Sequence, residues 1–329
     1  MQKLRSIFCL SALFIAACGG AQTAPDVAAE AMSEAKSAPV LNESVITAGE
    51  LSGLYIDAGA GAPIILIIPG SGPTDLNGNN PMGVKASSYK LLAEALGAQG
   101  VSSVRVDKRG MFSSAAAGDS NEVTLEIYAQ DYSDWVDMIR AETGADCVYV
   151  LGHSEGALMA SAAANINDNI CGQILVSGVG RSFGEVLREQ LKANPENFII
   201  MKEAVAAIEQ LEAGERVDTK DMHMALKPLF GEHVQGFLIS IMAADPSKIA
   251  AQASTKTLII HGETDIQTAV SDAEALASAT GGTLVIVPGV NHVLKHAPKN
   301  RRKNIKTYSQ PDLPISKDVV DAIALFVNL

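Results

Sequence analysis

Six short stretches of this chain are mostly apolar, without a sustained apolar–polar alternation. Residues 63–69 read PIILIIP, and comparable runs lie at 101–106, 147–151, 173–176, 257–260 and 283–287. A strand with one wet face alternates apolar and polar residues. An unbroken run of four to seven must be covered on both faces, as in a parallel sheet flanked by helices. Stretches with helical spacing fall between the runs, at 88–96, 125–142, 156–165, 268–279 and 316–327. Strand–helix alternation of this kind implies an α/β fold, a doubly wound and mostly parallel sheet with right-handed crossovers. A weaker run at 51–56, containing Gly53, is expected to be an antiparallel edge strand.

The stretch 181–252 breaks this rhythm. It has helical periodicity and no buried-strand run, so a helical cap inserted over the sheet is expected. The expected organisation is a core in two parts, 46–180 and 253–329, around that insertion. Composition narrows the functional classes. The 329 residues carry a formal net charge of −12 and 5% aromatics. A nucleic-acid partner is not expected, because a phosphate backbone needs a concentrated basic surface.

The first 45 residues read as an address and a tether. Lys3 and Arg5 precede an apolar run at 7–17, the pattern of a signal peptide over 1–17. The run ends Ile15-Ala16-Ala17-Cys18-Gly19, which resembles a bacterial lipobox. That resemblance implies acylation of Cys18, export, and anchoring in a membrane, with the outer membrane facing the periplasm the preferred destination. Residues 18–45 hold few large apolar side chains and are expected to form a flexible tether. Cys147 and Cys171 remain in the exported part, each at the start of an apolar run. If neighbouring strands bring their Cα atoms to about 4.4–6.8 Å, an oxidising compartment permits a disulfide; otherwise they are two buried thiols.

The chemistry concentrates at strand ends. Gly152-His-Ser154-Glu-Gly156 matches G-x-S-x-G between a strand run and a helical stretch. A sharp turn there lifts the central hydroxyl clear of the sheet, and the flanking glycines avoid collisions where the helix crosses back. Ser154 is the candidate nucleophile. A serine needs a base. Of six histidines, His292 follows the last strand run on a loop and is the candidate; His296 is the nearest competitor. His261 reads as structural, and His153 points away from the site in such a turn. The acid that orients the base is Asp265, on the loop after the run 257–260, with Glu263 the competitor. Backbone N–H groups of Glu155 and Ser71 are the candidate oxyanion donors. Glu155 follows the nucleophile, and Ser71 lies on the glycine-rich loop after residues 64–68. The Glu155 side chain has no part in this scheme. No cysteine–histidine cluster has zinc spacing, so no metal or other cofactor is implied.

From about residue 63 onward the chain resembles the α/β-hydrolase superfamily. Residues 70–79, GSGPTDLNGN, together with Asp107-Lys-Arg109-Gly110, are similar to the serine-aminopeptidase or esterase-like subgroup. Leu76 and Phe112 depart from that pattern. A basic residue is commoner at the first position and a glycine at the second. The resemblance implies a carboxylic ester hydrolase acting on a small-molecule ester through an acyl-enzyme. An aminopeptidase or proline iminopeptidase of the same fold is the alternative, and would need insertion acids such as Glu185, Glu189, Glu203, Glu209 or Glu212 aimed at an α-amine. A non-catalytic lipoprotein binding module is the third possibility. The basic residues from Lys295 to Lys306 are expected to form a solvated loop.

Overall fold

The computed structural model describes residues 42–329. The signal peptide at 1–17, the lipobox Cys18 and most of the expected tether lie outside the described residues. Strands β1 (Asn42–Ala48), β2 (Leu51–Asp57) and β3 (Ile64–Ile68) open the chain. A two-residue pair, β4 (Asn79–Asn80) and β5 (Val84–Lys85), follows, then α1 (Ser88–Gly97), β6 (Ser102–Val106) and α2 (Leu125–Thr143). Strand β7 (Val148–His153) leads into α3 (Gly156–Ala164) and β8 (Ile170–Val176).

Five helices come next, with no strand among them. They are α4 (Phe183–Lys192), α5 (Met201–Glu212), α6 (Lys227–Phe230), α7 (Gln235–Met242) and α8 (Pro246–Gln252). The chain closes with β9 (Lys256–Gly262), α9 (Val270–Thr280), β10 (Thr283–Val287), α10 (Arg301–Lys306) and α11 (Lys317–Val327).

Eight strands form one sheet in the order β1-β2-β6-β3-β7-β8-β9-β10. β6 through β10 run parallel, while β1 and β2 are antiparallel. The unbroken apolar runs have the cause expected of them. Ile65 and Ile67 pack on one face with Leu92, Leu96, Val319 and Ile323 of α1 and α11. Leu66 and Ile68 pack on the other with Leu158, Tyr128 and Leu276 of α3, α2 and α9.

Three sequence expectations need correction. Residues 51–56 are antiparallel but not the edge, because β1 covers them. Residues 42–45, expected to be tether, lie in β1, where Glu43 pairs with the buried Arg105 of β6. Propensity missed β1 because its side chains are mostly exposed; besides the backbone pairing and that ion pair, only Ile46 and Ala48 pack against the core. The basic stretch is not simply a solvated loop either. Arg301–Lys306 is helical, and Lys295 is fully buried with its Nζ donating to the Gln310 carbonyl at 2.5 Å.

The chain visits β3, moves to β6 on one side, then crosses to β7 on the other. The C-terminal ends of β3 and β7 therefore form a topological switch point, the crevice where open α/β sheets bind ligands. Ile67 pairs with Leu151 and Ile68 with Gly152, so Gly70 comes to lie beside Ser154.

Candidate active site

The turn after β7 is built around its glycines. Ser154 has φ 57°, in the left-handed region that costs a non-glycine residue roughly 1–2 kcal/mol. Such strain persists where the surroundings impose it. A Cβ on Gly156 would stand 2.6 Å from the Ile68 carbonyl oxygen, and one on Gly152 would overlap the Gly156 carbonyl. The Ser154 N–H donates to the Val176 carbonyl at 2.9 Å, tying the turn to β8.

Asp265 follows β9, and its side chain is fully buried. His292 Nδ1 lies 2.8 Å from Asp265 Oδ2, while Oδ1 accepts the N–H groups of Gln267 and Thr268 at 2.8 and 3.1 Å. Burial alone would raise the Asp265 pKa. The facing His292 and His261 charges and the hydrogen bonds outweigh burial and hold the carboxyl well below its ordinary range. An ionised Asp265 fixes the Nδ1–H tautomer of His292 and leaves Nε2 as the basic atom. The competitors lie elsewhere. Glu263 is bound to Lys299 at 2.7 Å on the surface, and His296 is exposed. His261 is buried, with Nε2 at 3.1 Å from the Thr268 hydroxyl.

Ser154 and His292 line one cavity of about 60 Å³ together with Gly70, Ser71, Tyr89 and Phe183. Its remaining lining includes Thr74, Asn80, Gln190, Gln267 and Tyr308 and, among the described residues, no carboxylate. The insertion reaches the cavity through Phe183 and Gln190 of α4. Several of its other apolar residues, among them Leu187, Met222, Phe230 and Met242, belong to the main core, while Met224 is exposed. Four of the five insertion acids named as candidates are occupied. Glu185 and Glu189 pair with Arg181, Glu212 pairs with Arg188, and Glu203 accepts the His223 N–H.

His153, expected to point away from the site, lines the same cavity, and its ring lies 4.7 Å from that of His292. Its Nε2 lies 2.8 Å from the His292 carbonyl, which can only accept, so Nε2 carries the proton. Nδ1 therefore accepts from the Tyr89 hydroxyl at 2.9 Å. That oxygen in turn accepts the Gly70 N–H at 3.0 Å. The result is one hydrogen-bonded line from the glycine-rich loop, under the nucleophile, to the base loop. Burial, and secondarily the His292 charge, pushes the His153 pKa down to about 3, so the ring is neutral. Tyr89 carried no sequence signal as a site residue: it lies 64 residues from its partner, inside an ordinary helical stretch.

Cys147 and Cys171 are disulfide-bonded, with Cα atoms 5.3 Å apart. They sit at the N-terminal ends of β7 and β8, opposite the site.

A parallel sheet between helical layers, with a strained serine after its central strand and a buried Asp–His pair after later ones, defines a class. The fold is the α/β-hydrolase fold, and the comparisons below are with proteins of that kind. A family model described as serine aminopeptidase, S33, matches residues 81–224. The esterase EstD of Thermotoga maritima is 24% identical over 266 residues, 77% of this chain and 60% of its own length. This chain thus spans about three fifths of that relative. Among solved structures, the esterase Pf2001 of Pyrococcus furiosus is 14% identical. It aligns over 88% of this chain and 92% of its own, with a TM-score of 0.53. A serine hydrolase of Cycloclasticus zankles is also 14% identical, over 88% and 98%, with the same TM-score of 0.53. These structural likenesses are likenesses of fold.

Proposed function

We propose that the chain is a serine hydrolase that cleaves carboxylic esters of small molecules through an acyl-enzyme on Ser154. The observation that carries this reading is the placement of Ser154 and His292 in one cavity, with His292 Nδ1 bound to the buried Asp265. His292 Nε2 removes the hydroxyl proton as Ser154 Oγ attacks the ester carbonyl. The backbone N–H groups of Ser71 and Glu155 receive the developing oxyanion. His292 returns the proton to the departing alkoxide, and water repeats the sequence on the acyl-enzyme, releasing the acid. The esterase names of the relatives support the substrate class. The absence of a carboxylate from the cavity lining, among the described residues, favours an ester over a peptide with a free α-amine.

Ester and aminoacyl-anilide panels test this directly. Ser154→Ala and His292→Ala should each lower kcat by at least about 10³-fold, and Asp265→Asn somewhat less. The wild-type chain should take up one fluorophosphonate, at Ser154. Labelling that survives in Ser154→Ala, or activity lost in His296→Ala and kept in His292→Ala, contradicts the assignment.

We further propose that the protein is exported and lipid-anchored at Cys18, with the outer membrane facing the periplasm as its location. The Cys147–Cys171 disulfide supports an oxidising destination. Metabolic labelling with palmitate should be abolished by Cys18→Ala.

A further inference from the structure

The side chain of Glu155 is buried in the heart of the fold, one residue past the nucleophile. A carboxylate there needs partners, since burial without them costs several kcal/mol. Glu155 Oε2 accepts the Ser71 hydroxyl at 2.9 Å. Lys108, also buried, donates from Nζ to the Gly70 carbonyl at 2.7 Å. Burial raises the Glu155 pKa, and the Lys108 charge and the Ser71 hydrogen bond oppose that rise.

These contacts all converge on one loop. The Gly70 N–H is held by Tyr89 and its carbonyl by Lys108. The Ser71 hydroxyl is held by Glu155 and its carbonyl by the Thr74 hydroxyl at 2.9 Å. The loop is also a partition. On one side lies the cavity of Ser154 and His292; on the other, a second cavity is lined by Gly72, Lys108 and Glu155. Glu155 lines the second cavity and not the first.

We propose that Glu155 is a positioning residue for the oxyanion pocket. Its carboxylate, acting through the Ser71 hydroxyl, fixes the place of the Ser71 N–H relative to Glu155's own N–H. One residue thereby supplies one donor through its backbone and sets the other through its side chain. The path between the two donors is covalent except for a single hydrogen bond. Donors that are fixed before the oxyanion forms cost no reorganisation when it does, which is where such pockets gain their effect. This inference rests on the acyl-transfer reading above.

The test is a double-mutant cycle on the full chain: Glu155→Ala, Ser71→Ala, the pair, and Glu155→Gln. Each is assayed for p-nitrophenyl acetate hydrolysis, rate of fluorophosphonate uptake and Tm, with kcat taken per titrated site. Glu155→Ala and Ser71→Ala should each lower kcat about 10- to 100-fold with KM within about twofold, because the lost donor placement acts in the transition state. The double variant should be no slower than the slower single one, since both remove the same link. Glu155→Gln keeps an acceptor for the hydroxyl and should recover most of kcat.

Multiplicative losses in the double variant overturn the proposal. So does a Glu155→Gln as slow as Glu155→Ala, or a fall in Tm with kcat per site unchanged. If Glu155→Ala does not fold, Ser71→Ala decides alone, because it deletes the hydroxyl and leaves the N–H. A wild-type kcat per site in that variant overturns the link. A wild-type chain that takes no label at Ser154 overturns the hydrolase reading and this inference with it; normal labelling with unaffected variants overturns this inference only.

Discussion

His153 shows how a residue can matter through what it holds. Its ring is neutral, and its single N–H is committed to the His292 carbonyl. With a folded pKa near 3 against about 6.5 in the unfolded chain, the unfolded state binds the extra proton between those values. Stability from this group is fully present above about pH 6.5 and is lost as pH falls toward 3, by up to about 1.4 kcal/mol per pH unit. Urea unfolding at pH 7, 6 and 5 should show that slope. His153→Gln should reduce it while lowering stability at pH 7. A slope equal to wild type in His153→Gln would assign the acid sensitivity over this range to His261 instead. Burial lowers the His261 pKa too, so it acts in the same direction, whereas Asp265, whose pKa is lowered from a carboxyl's, loses its contribution only below about pH 4.

At the scale of elements, the turn after β6 is one of two places where the chain departs from its resemblance. Phe112 stands where glycine is commoner, and its φ is 44°. The side chain is 46% exposed, so it gains little from burial to offset a left-handed backbone. Phe112→Gly should therefore raise stability by about 0.5–1 kcal/mol, visible as a higher Tm, because glycine adopts this φ without steric cost. An unchanged or lower Tm would mean that the half-buried ring contributes more than its exposure indicates. Nearby Asp107 organises the turn more than Phe112 does. It accepts the Leu76 N–H at 2.8 Å with one oxygen and the Ser113 hydroxyl at 2.6 Å with the other, joining two loops.

For the molecule as a whole, what could be read from sequence followed from burial on two faces. Mostly apolar runs located β3, β6, β7, β8, β9 and β10, and the glycines around Ser154 located the turn. What stayed illegible were contacts between distant polar residues. Tyr89 with His153, Glu155 with Ser71, and Arg105 with Glu43 are separated by 64, 84 and 62 residues. Neither periodicity nor spacing encodes such pairings; they exist only once the sheet order brings β3, β6 and β7 together. β1 was missed for a related reason, since its mostly exposed side chains carry little core signal.

The disulfide also acts at this scale. It closes a loop with a sequence separation of 24 residues, which in the chain-entropy model is worth about 3 kcal/mol. Reduction should lower Tm while leaving kcat at 25 °C largely unchanged, because the bond lies at the opposite end of β7 from Ser154. Loss of activity at a temperature where circular dichroism still reports a folded chain would show that the bond also holds the site.

The same bond makes the polypeptide a covalent ring between Cys147 and Cys171, with Ser154 and α3 inside it. A single backbone break anywhere in that ring leaves both halves of the molecule attached to one another. Proteases that nick the turn or α3 would produce a species that migrates as full-length without thiol and as two fragments with it. The segment carrying the nucleophile is thus the one part of the described chain that cannot be severed from the rest by one cut.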